Sequence, residues 1–222
     1  MNRILIAAVV VGASSSAFAQ ISEGFDDINL LGGAGWNLVN LSVPVGTQPN
    51  WFQGNDTVFP AQSGALPTSY MAANFNFVAG AGDITAWAMT PEITLQNGAM
   101  WSFWARSIDS AFPDRLHFKM STNGGSTNAG DFTTTLVTIN PNLVQGVFVD
   151  NWTEYTGMIS GLGGATQGRL AFHYDVPNSG PSGINGDYIG VDTFDYNPVP
   201  EPGTIAVIAL GLGALIARRR KA

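Results

Sequence analysis

The chain has no cysteine. That removes disulfides, thiol catalysis and cysteine-ligated zinc, so an exported domain with this sequence must be held by core burial, by a metal or by both. Charge is scarce as well: 11% of residues are Asp, Glu, Lys or Arg, 9 basic against 16 acidic. Most of the basic residues lie at the two ends, Arg3 at the start and Arg218, Arg219, Arg220 and Lys221 at the finish. Between residues 20 and 198 only Arg106, Arg115, Lys119 and Arg169 remain, against 15 acidic residues, a net charge of −11. No basic stripe survives, which excludes nucleic acid as an expected partner. An exterior this acidic attracts divalent cations. Helical periodicity is missing too: no stretch between the ends keeps a 3.6-residue apolar repeat for three turns. There is no internal repeat, no EF-hand loop and no Gly-x-Ser-x-Gly elbow ahead of a helix, so the usual hydrolase reading fails.

What the chain does have is two distinctive ends. Met1-Asn2-Arg3, an apolar run over 4–12 and Ala17-Phe18-Ala19 have the basic, apolar and small-x-small order of a secretory signal peptide. Residues 1–19 are therefore expected to be removed, leaving Gln20 as the mature start. At the other end, Pro198, Pro200 and Pro202 form a stiff hinge that cannot continue a helix. From Thr204 to Ala217 no side chain is charged, and the basic cluster Arg218, Arg219, Arg220 and Lys221 follows at once. Fourteen residues span roughly 21 Å as a helix, short against a hydrocarbon core of about 30 Å. Long basic stems reach the interface. The positive-inside rule keeps them cytoplasmic, so the body lies on the outer side. A short transmembrane helix behind an accessible hinge suits transient anchoring and cutting.

The segment 198–222 resembles the PEP-CTERM sorting signal, with Pro200, Glu201 and Pro202 as the motif, 204–217 as the apolar helix and 218–221 as the basic end. The resemblance implies that an exosortase, a multi-pass membrane protease, processes the tail. It implies a Gram-negative host, export across the inner membrane, a body held in the periplasm and then moved to the cell surface or outside, and a biofilm rich in exopolysaccharide. The chain is then a substrate of the sorting system; the activity of its body is a separate matter.

Along the body, turn signals such as Gly32-Gly33, Asn97-Gly98 and Asn123-Gly124-Gly125 separate short runs rich in aromatic and β-branched residues. Leu116, Phe118 and Met120 alternate onto one face, and so do Leu170, Phe172 and Tyr174. Further strands are predicted over 36–41, 70–77, 84–89, 100–106, 132–139, 152–159 and 188–196. Regular short strands between turns predict an all-β fold, one jelly-roll-like antiparallel β-sandwich over 20–197.

The body also resembles the choice-of-anchor J domain, related to cleaved-adhesin and MAM-type modules. The residues that carry this are Glu23-Gly24-Phe25-Asp26, Gly35-Trp36, Trp87-Ala88-Met89-Thr90-Pro91, Met100-Trp101-Ser102-Phe103-Trp104, Leu116 to Ser121, Trp152 and Tyr188-Ile189-Gly190-Val191-Asp192. Ala88 stands where a larger aliphatic is common. The resemblance implies a surface module and a structural Ca2+ tying the first strand to the last, with Glu23, Asp26 and Asp192 at the matching positions. Asp192 lies in an apolar run, where a buried carboxylate needs a cation or several donors. Its alternative is to cap a turn by accepting backbone N–H bonds.

The resulting function is a non-catalytic surface or matrix module, adhesive or structural, whose partners are exosortase, the membrane, exopolysaccharide and other surface proteins. A carbohydrate-binding module is the alternative. Among six tryptophans, Trp51 in the loop Pro49 to Gly54 is the candidate sugar platform, while Trp101 and Trp104 point to opposite faces of one strand, so at least one is core. A second alternative is a glycan-active enzyme using a carboxylate pair such as Asp109 and Asp114, although nothing in the sequence singles out one pair. His117, between Arg115 and Lys119, and His173, on a face with Arg169 and Asp175, read as surface charge.

Overall fold

Each apolar run is too short to bury a helical stripe but can bury one face of a sheet, and the Gly, Pro and Asn turns between runs let successive strands reverse. The computed structural model describes residues 20–108 and 111–198. Within them the strands are β1 (Ile21–Glu23), β2 (Asn37–Asn40), β3 (Phe52–Gln53), β4 (Met71–Asn74), β5 (Gly82–Met89), β6 (Ile93–Leu95), β7 (Met100–Ser107), β8 (Leu116–Ser121), β9 (Thr134–Ile139), β10 (Thr153–Met158), β11 (Thr166–Ser179) and β12 (Tyr188–Asn197). They form two sheets. One runs β10-β7-β12-β4-β3 with β1 added on β12; the other runs β2-β5-β11-β8-β9 with β6 added on β11. All these pairings are antiparallel.

This is the expected all-β sandwich, and every run predicted as a strand contains one. Boundaries move for local reasons. The run 70–77 stops being a strand at Asn74, whose side chain accepts the Asn76 N–H and starts the 3-10 turn Phe75–Phe77. In contrast β11 continues past residue 175 to Ser179 because it pairs with β5, β6 and β8 along its length.

Alternation sets what lies between the sheets. Trp101, Phe103 and Ala105 from β7 and Ile189 and Val191 from β12 face Leu116, Phe118, Leu170, Phe172 and Tyr174 from β8 and β11. The rings meet directly: across the sheets Phe172 lies 5.0 Å from Phe103 and 5.6 Å from Phe194 between centroids, and beside it in its own sheet 4.9 Å from Phe118. Burying each such side chain contributes about 1.5–3 kcal/mol, and edge or offset ring contacts add about 0.5–1.5 kcal/mol per pair. No disulfide shares this work.

The residues that carry the family resemblance prove to be fasteners of this sandwich. Thr90, fully buried, accepts the Leu170 N–H and donates to the Pro91 carbonyl. Arg169 donates to the carbonyls of Gly35, Thr90 and Gly125. Gly35 has φ +90° and an added Cβ would press on Pro91 at 3.4 Å, so the Gly35-Trp36 and Thr90-Pro91 steps belong to one contact. At Gly190 a Cβ would lie 2.8–2.9 Å from the rings of Trp152, Phe59 and Tyr70. The smallest residue is needed there because those rings, with Tyr188, form a second aromatic cluster on the outer face of the first sheet. Arg106 lies over it, 4.1 Å from the Phe59 centroid.

Phe172→Ala should cost about 3–5 kcal/mol of folding stability, read from urea denaturation. A loss below about 1 kcal/mol would show that the ring cluster is not what joins the sheets.

Candidate functional site

Chain connectivity brings the first described strand back to the last: β1 pairs with β12 through Ile21↔Tyr196, Ser22↔Asp195 and Glu23↔Phe194. Beside this seam β12 has a bulge between Asp192 and Asp195, with Thr193 at φ 47°. The Asp192 carboxylate is buried there. Its Oδ2 accepts the N–H groups of Gln62 at 2.8 Å and Ser63 at 3.2 Å, and its Oδ1 accepts the Thr193 hydroxyl at 3.1 Å. Burial raises its proton affinity above the usual carboxylate range, while the N–H donors of Ser63 and Gln62 oppose that. Asp26 Oδ1 accepts the Ala65 N–H at 3.1 Å, and hydrogen bonds from Ser69 and Ala65 lower its pKa. Glu23 Oε1 accepts the Phe25 N–H at 2.8 Å. The three carboxylates expected around Ca2+ therefore fasten backbone, two of them on the same loop over 62–65. Their ligand oxygens do not form a group lying within 4.8 Å of one another. For Asp192 the loop supplies the backbone donors that a buried carboxylate requires, the arrangement of its capping alternative.

Trp51 is a second correction. It precedes the short strand β3 rather than sitting in an open loop, is 4% exposed, and packs edge-on against Phe77 and Tyr174 at 6.1 and 6.4 Å. Its ring has no free face for a sugar. Trp152 and Trp104 keep surface; Trp152 packs edge-on against Phe59 and Tyr70, which leaves Trp104. Its strand neighbours Phe103 and Ala105 are core, so Trp104 projects from the outer face of the first sheet and is half-buried. Across the sheet it is paired with Glu154 on one side and Asp192 on the other, and Ser102, two residues away, is paired with Thr156 and Asp195. The alternation at Trp101 and Trp104 already assigned one ring to each face; which face is open depends on the second sheet.

Of the proposed carboxylate pair, Asp109 lies outside the described residues. Asp114 is 1% exposed and cannot flank a sugar at the surface. It anchors an internal network: Tyr174 Oη donates to Oδ1 at 2.5 Å, Ser107 Oγ to Oδ2 at 2.7 Å and the Asp187 N–H to Oδ1 at 2.9 Å. Burial outweighs these donors and pushes the Asp114 carboxyl up to about 6.

His117 and His173, read separately as surface charge, are directly paired neighbours on β8 and β11. His117 keeps 19% of its side chain exposed. His173 is mostly buried against Trp87, its ring parallel at 3.7 Å, and burial pushes its pKa down to about 3, leaving the ring neutral. Sequence alternation places each on a polar face, but the register that joins them is set by strands over fifty residues apart.

The signal peptide and the tail, including Pro200, Glu201, Pro202 and the basic cluster 218–221, lie outside the described residues. Among the described residues no helix is long and apolar enough to cross a membrane.

The fold and the tail each find relatives. Residues 198–221 match the PEP-CTERM protein-sorting motif, so the C-terminus carries that motif and marks the chain for exosortase processing, export and membrane-associated sorting to the surface. The body has the fold of a cleaved adhesin domain. It is similar to the K3 cleaved adhesin domain of Lys-gingipain from Porphyromonas gingivalis, with 17% identity and a TM-score of 0.52 over 81% of this chain and 98% of that one. The K2 cleaved adhesin domain of Lys-gingipain is similar at 17% identity and a TM-score of 0.52, over 82% of this chain and 99% of that one. No curated protein sequence matches the chain.

Asp114 gives a pH signature. Its native pKa of about 6 lies above the unfolded value of about 4, so the native state favours the protonated carboxyl. The destabilisation from its charged form is absent below about pH 4, grows as pH rises to about 6 and then levels off. The stability of the wild type relative to Asp114→Asn should therefore fall by about 2 kcal/mol between pH 4 and pH 7. Urea denaturation at a series of pH values checks this; a constant difference would place the carboxyl in an ordinary environment.

Proposed function

We propose that this chain is an exported module delivered to the cell surface or extracellular matrix of a Gram-negative bacterium, where it serves a non-catalytic adhesive or structural role among exopolysaccharide. The observation that carries the reading is the sorting motif at 198–221, joined to a sandwich body. In this reading the body crosses the inner membrane, is held in the periplasm by the apolar tail for a short time, and is freed by exosortase.

A carbohydrate-binding role is a second reading, favoured by Trp104. A half-buried indole on the interior of a sheet face, with Ser102, Glu154, Thr156 and Asp195 around it in register, offers an apolar plane beside hydrogen-bonding groups. The net charge of −11 on residues 20–198 repels anionic polymers, so neutral sugars are the matching class. Affinity electrophoresis through gels containing the host's exopolysaccharide tests it. The wild type should be retarded, and Trp104→Ala should weaken binding about tenfold, the equivalent of about 1.4 kcal/mol of lost stacking. Retardation unchanged by Trp104→Ala would remove this face from the binding site, and no retardation by any polysaccharide would leave the adhesive or structural role to protein partners.

A further inference from the structure

The outer face of the second sheet carries one row of side chains in direct register across five strands: Val39 on β2, Trp87 on β5, His173 on β11, His117 on β8 and Thr138 on β9. Asp175, two residues after His173 and on the same face, stands next to this row. A ring nitrogen of each histidine and a carboxylate oxygen of Asp175 all lie within 4.8 Å of one another. Among the described residues this is the group of three potential ligands that meets that distance.

Several features suit these groups to a metal. Each imidazole has one nitrogen on a threonine hydroxyl: His117 Nδ1 with Thr138 Oγ1 at 2.8 Å, and His173 Nε2 with Thr85 Oγ1 at 3.0 Å. Such outer bonds fix the tautomer and ring orientation of metal-bound histidines. Trp87 holds the His173 ring parallel at 3.7 Å and its own Nε1 donates to Thr85 Oγ1, so both ring and hydroxyl are oriented. His173 Nδ1 is buried and has no hydrogen-bond partner. A polar atom in that state is rare in a native interior and asks for an explanation.

The remaining pair is close. His117 Nε2 lies 3.2 Å from Asp175 Oδ2. Ligand atoms around a tetrahedral zinc with bonds of about 2.1 Å sit about 3.4 Å apart, so this edge has the required length and the others close by about an ångström of side-chain movement. Arg115 Nη2 donates to the same Asp175 oxygen at 2.8 Å and its Nε to the Asp175 carbonyl at 2.9 Å, which pins the carboxylate in place. The side chains of His117 and Asp175 remain 19% and 31% exposed, leaving a route from solvent and room for a water as fourth ligand. Arg115 and Lys119 are adjacent cations and lower the affinity, offset by the acidic surface as a whole.

We propose that His117, His173 and Asp175 bind one borderline divalent transition-metal ion of the zinc, nickel or copper class, bridging β8 to β11 on this outer face. Two imidazoles and one carboxylate select such ions over Ca2+ and Mg2+, which take oxygen ligands. On binding, the ion takes the place of the Nε2 proton that joins His117 to Asp175; that proton passes to solvent or to Nδ1, and the ring is left with its one proton on Nδ1 facing Thr138.

Zinc titrated into the purified full chain against a chromophoric chelator tests the site. One equivalent should bind, excess Ca2+ should not displace it, and Co2+ in its place should give the visible absorption of a low-symmetry, nitrogen-containing site. His117→Gln and Asp175→Asn should each weaken zinc binding by at least about tenfold while keeping the wild-type near-ultraviolet circular dichroism. Both side chains are partly exposed, so these variants, rather than a change at His173, carry the test. Absence of stoichiometric binding, or wild-type affinity in both folded variants, would overturn the proposal.

Discussion

Phe103 and Phe194 of one sheet meet Phe118 and Phe172 of the other ring against ring, with the Phe103 and Phe172 centroids 5.0 Å apart. A chain without cysteine has no covalent tie to fall back on, so this contact decides whether two sheets become one domain. It also determines what the exterior is free to do. Once alternate residues of β7, β8, β11 and β12 are committed inward, their neighbours stand in rows on two outer faces. One face presents Trp104 among polar and acidic groups, the other Trp87, His173 and His117.

A sandwich made this way leaves a difficulty at its margins, where polar backbone is buried without ladder partners. Side chains answer it. Asp192 takes up two N–H groups of the loop after residue 61, Arg169 serves three carbonyls, and Thr90, between β5 and β6, accepts the Leu170 N–H of β11. Asp114 does the same internally for Ser107, Tyr174 and Asp187, with a carboxyl held near pH 6 as the consequence. Of these residues Thr90 and Asp192 lie within the motifs that carry the resemblance, and Arg169 and Asp114 lie outside them.

The alternation of Leu116, Phe118 and Met120 and of Leu170, Phe172 and Tyr174 made two central strands and their inward faces legible before any coordinates. Strands β1, β3 and β6 were not, since two or three residues are too few to display a period of two. Asp192 was recognisable as a carboxylate needing partners, but those partners are backbone N–H groups some 130 residues earlier, which leave no trace in side-chain identity. Trp51 misled because a Pro-Asn-Trp segment reads as an open loop, whereas the chain folds it under Phe77 and Tyr174. The pairing of His117 with His173 depends on register between strands distant in sequence, and register is set by the whole hydrophobic pattern.

The tail marks the body for membrane-associated sorting to the surface, where the two outer faces are its candidate binding surfaces. The central claim is delivery, and the mass of the protein recovered outside the cell tests it most directly, compared between the host and a strain lacking exosortase. The account predicts a chain beginning at Gln20 and lacking the apolar run 204–217 in the host, and a tail-bearing chain retained in membranes without exosortase. An identical, tail-bearing product exported by both strains would contradict it.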